Sequence, residues 1–264
     1  FRRDKADPMT PLLRTTGISV RFGGLVAVNG VDITIPSGVI HGVIGPNGAG
    51  KTTFFNAITG LAGLSSGSIA FGDDDITRQP PFKRARLGMR RTFQSVQLIP
   101  QFTVLENVLI GLHDHIRVNP LRSLLSLSGR DAAEEDAQRR VIETLRFLGI
   151  ENTLFKRPVE LSFAQQRFVE IARALVAKPK LLMLDEPAAG LSPSEVQGLN
   201  ALLRRLRAES DLTVILVEHV LSLVFDVSDR ITVFDSGRVI AEGAPADVEA
   251  DPKVKAAYLG DGHA

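Results

Sequence analysis

Eight consecutive residues, Gly45-Pro46-Asn47-Gly48-Ala49-Gly50-Lys51-Thr52, have the spacing of a phosphate-binding loop: two glycines separated by four residues, then Lys and a hydroxyl side chain. The backbone N–H groups of such a loop can wrap a polyphosphate. Lys51 can reach the outer phosphates, and the Thr52 hydroxyl can ligate Mg²⁺. A second chemical stretch is Leu181-Leu182-Met183-Leu184-Asp185-Glu186, an apolar run that ends in two acids. Asp185 can hold Mg²⁺, directly or through water, and Glu186 can polarise an attacking water as general base; the alternative is a pair of solvated charges. Asp73-Asp74-Asp75 is read instead as a solvated turn, because adjacent acids do not converge on one ion.

Five further residues offer weaker signals. Gln94, at a strand end, can give a carbonyl to Mg²⁺ and move with the segment after it. Ser162 suits a helix N-cap and equally a phosphate. His219 can bond a terminal phosphate or be structural. Phe22 can stack on a nucleobase, with Val28 on the same apolar wall, or be an ordinary core Phe.

These groups need elements to hold them. The apolar run 39–44 predicts a buried strand before the phosphate loop, and 53–58 a helix whose N-terminus faces the phosphates. Alternation predicts strands at 12–20 and 31–35, joined by 21–28, and further strands at 67–71 and 88–93. Helical spacing of apolar residues marks 104–112 and 132–148. Between them 119–129, rich in Leu and Ser, is left open as a short helix, a lid or a partner-binding surface. A helix starting at Ser162 stops near Lys178-Pro179, another covers 194–208, 212–217 is a buried strand, and 231–241 is a hairpin turning at Gly237.

The chain has 264 residues, 44% apolar and 23% charged, in the range of a globular α/β protein with room for a subdomain. Its net charge of +1 gives no general attraction to nucleic acid, and with no cysteine it has neither disulfides nor thiolate metal sites. No apolar run reaches bilayer-spanning length, and the charged N-terminal stretch predicts no signal peptide. Residues 1–8 are expected to be a flexible leader, or a linker from a longer polypeptide.

In order along the chain, the phosphate loop, Gln94, Leu161-Ser162-Phe163-Ala164-Gln165, Leu184-Asp185-Glu186-Pro187 and His219 resemble the Walker A, Q-loop, signature, Walker B and switch-histidine motifs of ABC transporter ATP-binding subunits. Arg91-Thr92-Phe93-Gln94, Gln165-Gln166-Arg167, Glu186-Pro187-Ala188-Ala189-Gly190-Leu191 and Ala257-Tyr258-Leu259-Gly260 are similar to the LivG-type branch, which serves importers of branched-chain amino acids. The resemblance implies a P-loop NTPase with a RecA-like core and an antiparallel β subdomain (9–97 plus 162–264), and an inserted α-helical subdomain (98–161).

It also implies a site shared by two subunits, a homo- or heterodimer closing head to tail. One subunit would hold ATP and Mg²⁺ through Asn47, Gly48, Ala49, Gly50, Lys51, Thr52 and Thr53, with Phe22 and Val28 at the base and Thr52, Gln94 and Asp185 at the metal. The other would add Ser162, Ala164 and Gln165. Glu186, His219, Gln94 and Lys51 would carry hydrolysis, Ala189-Gly190-Leu191-Ser192 would cross the dimer, and membrane permease subunits would receive the motion at the cytoplasmic face, without nucleic acid. Phe163 and Ala164 stand where the family prefers glycines, and Ser192 where many relatives carry Asp or Asn. A methyl at Ala164 crowds the γ-phosphate, so the resemblance implies slow hydrolysis in the isolated subunit, with an ATP-gated switch or a transporter of other cargo as alternatives.

Overall fold

The computed structural model describes residues 11–112 and 132–259. By contacts the chain forms two compact units: one reaches Arg91 and resumes at Lys180, and the other is Thr92–Pro179.

The first unit contains two sheets. β1 (Pro11–Phe22) and β2 (Leu25–Pro36) form a long hairpin, with Phe22 opposite Leu25 across the Gly23-Gly24 turn. The strands expected at 12–20 and 31–35 thus run on through most of 21–28, because bulges in the register let pairing continue past Gly30. Val31, Ile33 and Ile35 are buried while Asp32 and Thr34 are exposed, the period of a half-buried strand. β4 (Ser66–Phe71) and β5 (Asp74–Asp75) complete the order β2-β1-β4-β5. Asp75 turns its carboxylate to the Thr77 N–H at 2.8 Å, so the acidic triplet serves a turn.

The second sheet is built on β3 (Ile40–Ile44), β6 (Met89–Arg91), β7 (Leu181–Asp185), β8 (Thr213–Val217), β9 (Arg230–Asp235) and β10 (Arg238–Gly243), in the order β10-β9-β3-β8-β7-β6. All its neighbours are parallel except β10 on β9. Every residue of β3, β7 and β8 is buried, which is why these strands read as unbroken apolar runs. His41 is the polar exception in β3: its Nε2 lies 2.7 Å from Thr232 Oγ1, and burial, aided by Arg230, lowers its pKa to about 4.

α1 (Lys51–Thr59) buries Phe54, Phe55, Ala57 and Ile58 in the core shared with β1 and β2, and the Phe54 and Phe234 rings meet at 5.1 Å. α2 (Pro81–Arg86) escaped the sequence reading because it has no apolar stripe. It docks through buried Arg84, whose guanidinium donates to the carbonyls of Ala57, Ile58, Thr77 and Gln79 and so caps the C-terminus of α1 with a cation.

In the second unit, α3 (Val104–Leu109) starts at a Thr103/Glu106 capping box, and a 3-10 turn, Ile110–Leu112, follows it. α4 (Ala132–Phe147) and α5 (Phe163–Leu175) pack with α3 around Val108, Val141, Leu145, Val169 and Leu175. Because α5 packs there, this unit is wider than the span 98–161 drawn from composition. The stretch 119–129 and the leader lie outside the described residues.

Arg167, fully buried on α5, donates to the carbonyls of Phe93 (2.8 Å) and Gln94 (2.6 Å) and pairs with Glu170 at 2.8 Å. Arg173 reaches the Gln97 carbonyl at 2.6 Å, so one face of α5 fastens the backbone from Phe93 to Gln97.

After β7 the first unit adds α6 (Pro193–Glu209), α7 (Leu221–Val227), α8 (Pro245–Ala250) and α9 (Pro252–Leu259). Among the described residues, no helix is long and apolar enough to cross a membrane.

Candidate functional site

The phosphate loop leaves β3 at Gly45 and enters α1 at Lys51, wedged between β2 and the β9–β10 turn. Two of its glycines are obligatory. A Cβ on Gly45 (φ 149°) would strike the Phe234 carbonyl, and one on Gly50 (φ 101°) the Ala27 carbonyl. The Gly237 N–H bonds Ala49 O at 3.0 Å, and Gly237 O takes the Asn29 N–H at 2.8 Å, which braces the loop from below. Lys51 folds back over it, giving Nζ to the carbonyls of Gly45 (2.6 Å) and Pro46 (2.9 Å). Burial lowers the Lys51 pKa, while Glu186 and Asp185 act the other way. The first intrahelical bond runs from Phe54 to Gly50, so the amides of Lys51, Thr52 and Thr53 face out of the helix end, where an anion is stabilised. Burial pushes the Tyr258 hydroxyl up to about 12, and a bond from the Gly45 backbone works against this.

A cavity of about 520 Å³ opens over the loop. It gathers residues 47–53 with Phe22, Glu186 and His219. Phe22, 56% exposed, offers its ring at the mouth beside the exposed Leu25. Val28 is not among the residues lining this wall: it is fully buried and paired with Val20, and Val26 and Ala27 line the cavity instead. Leu25, Ser236 and Gly237 also line it and were not foreseen, since a hairpin turn carries no local sign of a loop so far upstream.

The acids stand at the ends of neighbouring parallel strands, where Asp185 of β7 pairs with Val217 of β8. Asp185 is nearly buried and its Oδ2 takes Arg91 Nη2 at 2.6 Å; the same guanidinium reaches Asn56 Oδ1 at 2.6 Å and lies 5.4 Å over the Phe55 ring. Glu186 adopts the left-handed backbone region (φ 48°) and sets its Oε1 3.0 Å from His219 Nε2. Glu218 is buried, and its carboxylate accepts the N–H of Ala188 at 2.5 Å and of His219 at 2.9 Å. Burial raises its pKa, while backbone N–H bonds from Ala188, Val220 and His219 hold it down. Neither Arg91 nor Glu218 was recognised from the sequence.

Among the described residues no group of three or more His, Cys, Asp and Glu converges as a ready metal cage. Thr52 and Asp185 provide hard oxygen donors, which fit a divalent cation completed by phosphate oxygens and water. A carboxylate against an imidazole beside a phosphate cradle can draw a proton from water aimed at a terminal phosphate.

Gln94, Ser162, Ala164 and Gln165 belong to the second unit. There the Ser162 hydroxyl accepts the Gln165 N–H at 3.2 Å and Gln165 Oε1 accepts the Ser162 N–H at 3.0 Å, a capping box that opens α5. Ala164 is buried in its first turn.

Comparison with known proteins shows the family and the fold. A family model described as ABC transporter matches residues 28–189, and one described as branched-chain amino acid ATP-binding cassette transporter matches 238–264. The high-affinity branched-chain amino acid transport ATP-binding proteins BraF of Pseudomonas aeruginosa and LivG of Escherichia coli are each 40% identical over 251 residues, covering 95% of this chain and 98% of each relative. A crystal structure of the ADP conformation of an ATP-binding cassette of an ABC transporter superposes with TM-score 0.82 at 36% identity, covering 95% of this chain and 99% of that one. A dimeric post-hydrolysis cassette bound to ADP and Pi superposes with TM-score 0.74 at 25% identity, covering 88% and 98%.

Proposed function

The chain belongs to the ATP-binding subunits of ABC transporters, and from that premise we propose that it hydrolyses ATP to drive import of branched-chain amino acids or similar small metabolites. The observation that carries the hydrolytic part is the single cavity in which the phosphate loop faces the Glu186–His219 pair. The cargo reading is supported by the two named relatives and by the match over 238–264.

In this reading Lys51 and the amides of residues 47–53 bind the phosphates, and Phe22 stacks on the base. Thr52 and Asp185 would hold Mg²⁺, which when bound would supply charge neutralisation at the phosphates. Glu186 takes a proton from the attacking water at a carboxylate oxygen, and His219 positions that water. Ser162, Ala164 and Gln165 of a second copy, or of a related subunit, complete the site from the N-terminal end of its α5. The second unit, with Gln94 fastened to α5 through Arg167, passes closure to permease subunits at the cytoplasmic face of the membrane. The dimeric ADP- and Pi-bound neighbour supports the pairing of two cassettes.

The test is steady-state ATPase activity against protein concentration. Composite sites require a specific rate that rises with concentration before it levels off; a specific rate flat over a hundredfold dilution, with turnover present, would sink the shared-site reading. Base stacking predicts that Phe22→Ala weakens nucleotide binding about tenfold, from the roughly 1–3 kcal/mol of one stacked base. Fluorescent-nucleotide titration measures this, and it should reduce ATP and GTP binding alike, because a ring face reads no base edge.

A further inference from the structure

Two turns that must act together leave neighbouring strands: residues 186–191 follow β7, and residues 218–220 follow β8. The first is strained, since Glu186 sits at φ 48°, a region that persists only where the surroundings over-determine it. Its fixings can be named. The Glu186 N–H bonds Val217 O at 2.8 Å, and Ala189 N–H bonds Glu186 O at 3.1 Å. The third comes from the other turn, where Glu218 Oε1 takes the Ala188 N–H at 2.5 Å. The remaining oxygen, Oε2, takes the N–H of His219 at 2.9 Å and of Val220 at 3.3 Å. One carboxylate, 2% exposed, therefore holds the backbone two residues past Glu186 and the backbone of His219 itself.

We propose that Glu218 is a positioning residue of the hydrolytic centre: its buried carboxylate locks the turn of Glu186 to the turn of His219, so that their side chains meet at 3.0 Å. Only a carboxylate can do this without conflict. It presents acceptors on both oxygens, whereas an amide of the same shape turns an N–H toward one of the backbone donors. The inference rests on the reading of Glu186 as the base.

The experiment compares wild type, Glu218→Gln and Glu186→Gln for kcat, nucleotide Kd by fluorescent-analogue titration, and melting temperature. The expected result for Glu218→Gln is a kcat lowered about 10- to 100-fold, as misplacement of catalytic groups by about 1 Å produces, with Kd within about twofold of wild type. Loss of fold alone lowers the binding stoichiometry in step with activity, and does not split kcat from Kd. Glu218→Asp, which keeps the charge but shortens the reach, must show the same split should the Gln variant not fold. An inactive Glu186→Gln beside a fully active Glu218→Gln overturns the inference alone. Undiminished turnover in Glu186→Gln removes the base assignment and the inference with it.

Discussion

Glu186→Gln lowers ATP turnover by about 10²–10⁴-fold, the usual contribution of a positioned general base, while nucleotide affinity stays within a few-fold of wild type. The two effects separate because their groups are separate. Phosphate binding is built from the loop amides and Lys51, whose Nζ is held by the carbonyls of Gly45 and Pro46. The amide that replaces the carboxylate fits the same space beside His219 and can still meet its ring, but it cannot take a proton from water. A protein that binds ATP without consuming it also keeps any ATP-dependent dimer assembled. Gel filtration of this variant with ATP should therefore show a species of twice the mass that wild type passes through only briefly. Turnover within tenfold of wild type would place the activation of water elsewhere.

The largest effect on stability is expected at Arg167. Its guanidinium is wholly buried, pairs with Glu170 at 2.8 Å and supplies donors to the carbonyls of Phe93 and Gln94. Arg167→Met leaves Glu170 buried with its cation gone, a change worth about 3–5 kcal/mol, or a fall in melting temperature on the order of 10 °C for a chain of this size. The pH dependence has a definite sign. Burial already raises the Glu170 pKa, and the Arg167 charge opposes that shift. Without Arg167 the pKa rises further, so the stability carried by the protonated form is present below the ordinary Glu range and lost as pH rises through the folded value. The deficit of Arg167→Met must be smaller at pH 5 than at pH 8, and Arg167→Met with Glu170→Met must recover most of it. Thermal unfolding followed by helical circular dichroism measures both. An equal deficit at the two pH values would show that lost packing, not the stranded charge, sets the cost.

Legibility in the sequence divided along a physical line. The phosphate loop, the apolar runs of β3, β7 and β8, the acids at the end of β7 and the Ser162 cap were readable because each is specified by neighbours in the chain. The family resemblance extended this to His219 and to the fold. What stayed hidden depends on partners far away. Arg84 and Arg167 look like surface cations until α1 and the Phe93–Gln94 backbone arrive to take their protons. Glu218 looks like the polar end of a strand until Ala188 lies beside it. Val28 was assigned to the base wall because type alone does not tell which face of a strand a valine occupies, and the β1–β2 register decides that it faces the core.

The position of β3 has a consequence for the chain as it is made. The strand that launches the phosphate loop has β8 and β9 as its two hydrogen-bonded neighbours, and His41 finds Thr232 191 positions downstream. While the nascent polypeptide emerges, β3 is an apolar strand with both edges open, the kind of segment that pairs with the wrong chain. The units then mature in an unexpected order. The contacts that close Thr92–Pro179 lie within that segment and are complete before the ribosome reaches β8, whereas β3 waits for β8 and β9. A polypeptide released between Thr52 and Arg230 would carry every letter of the phosphate-binding motif and still lack the strand against which Gly45 is packed.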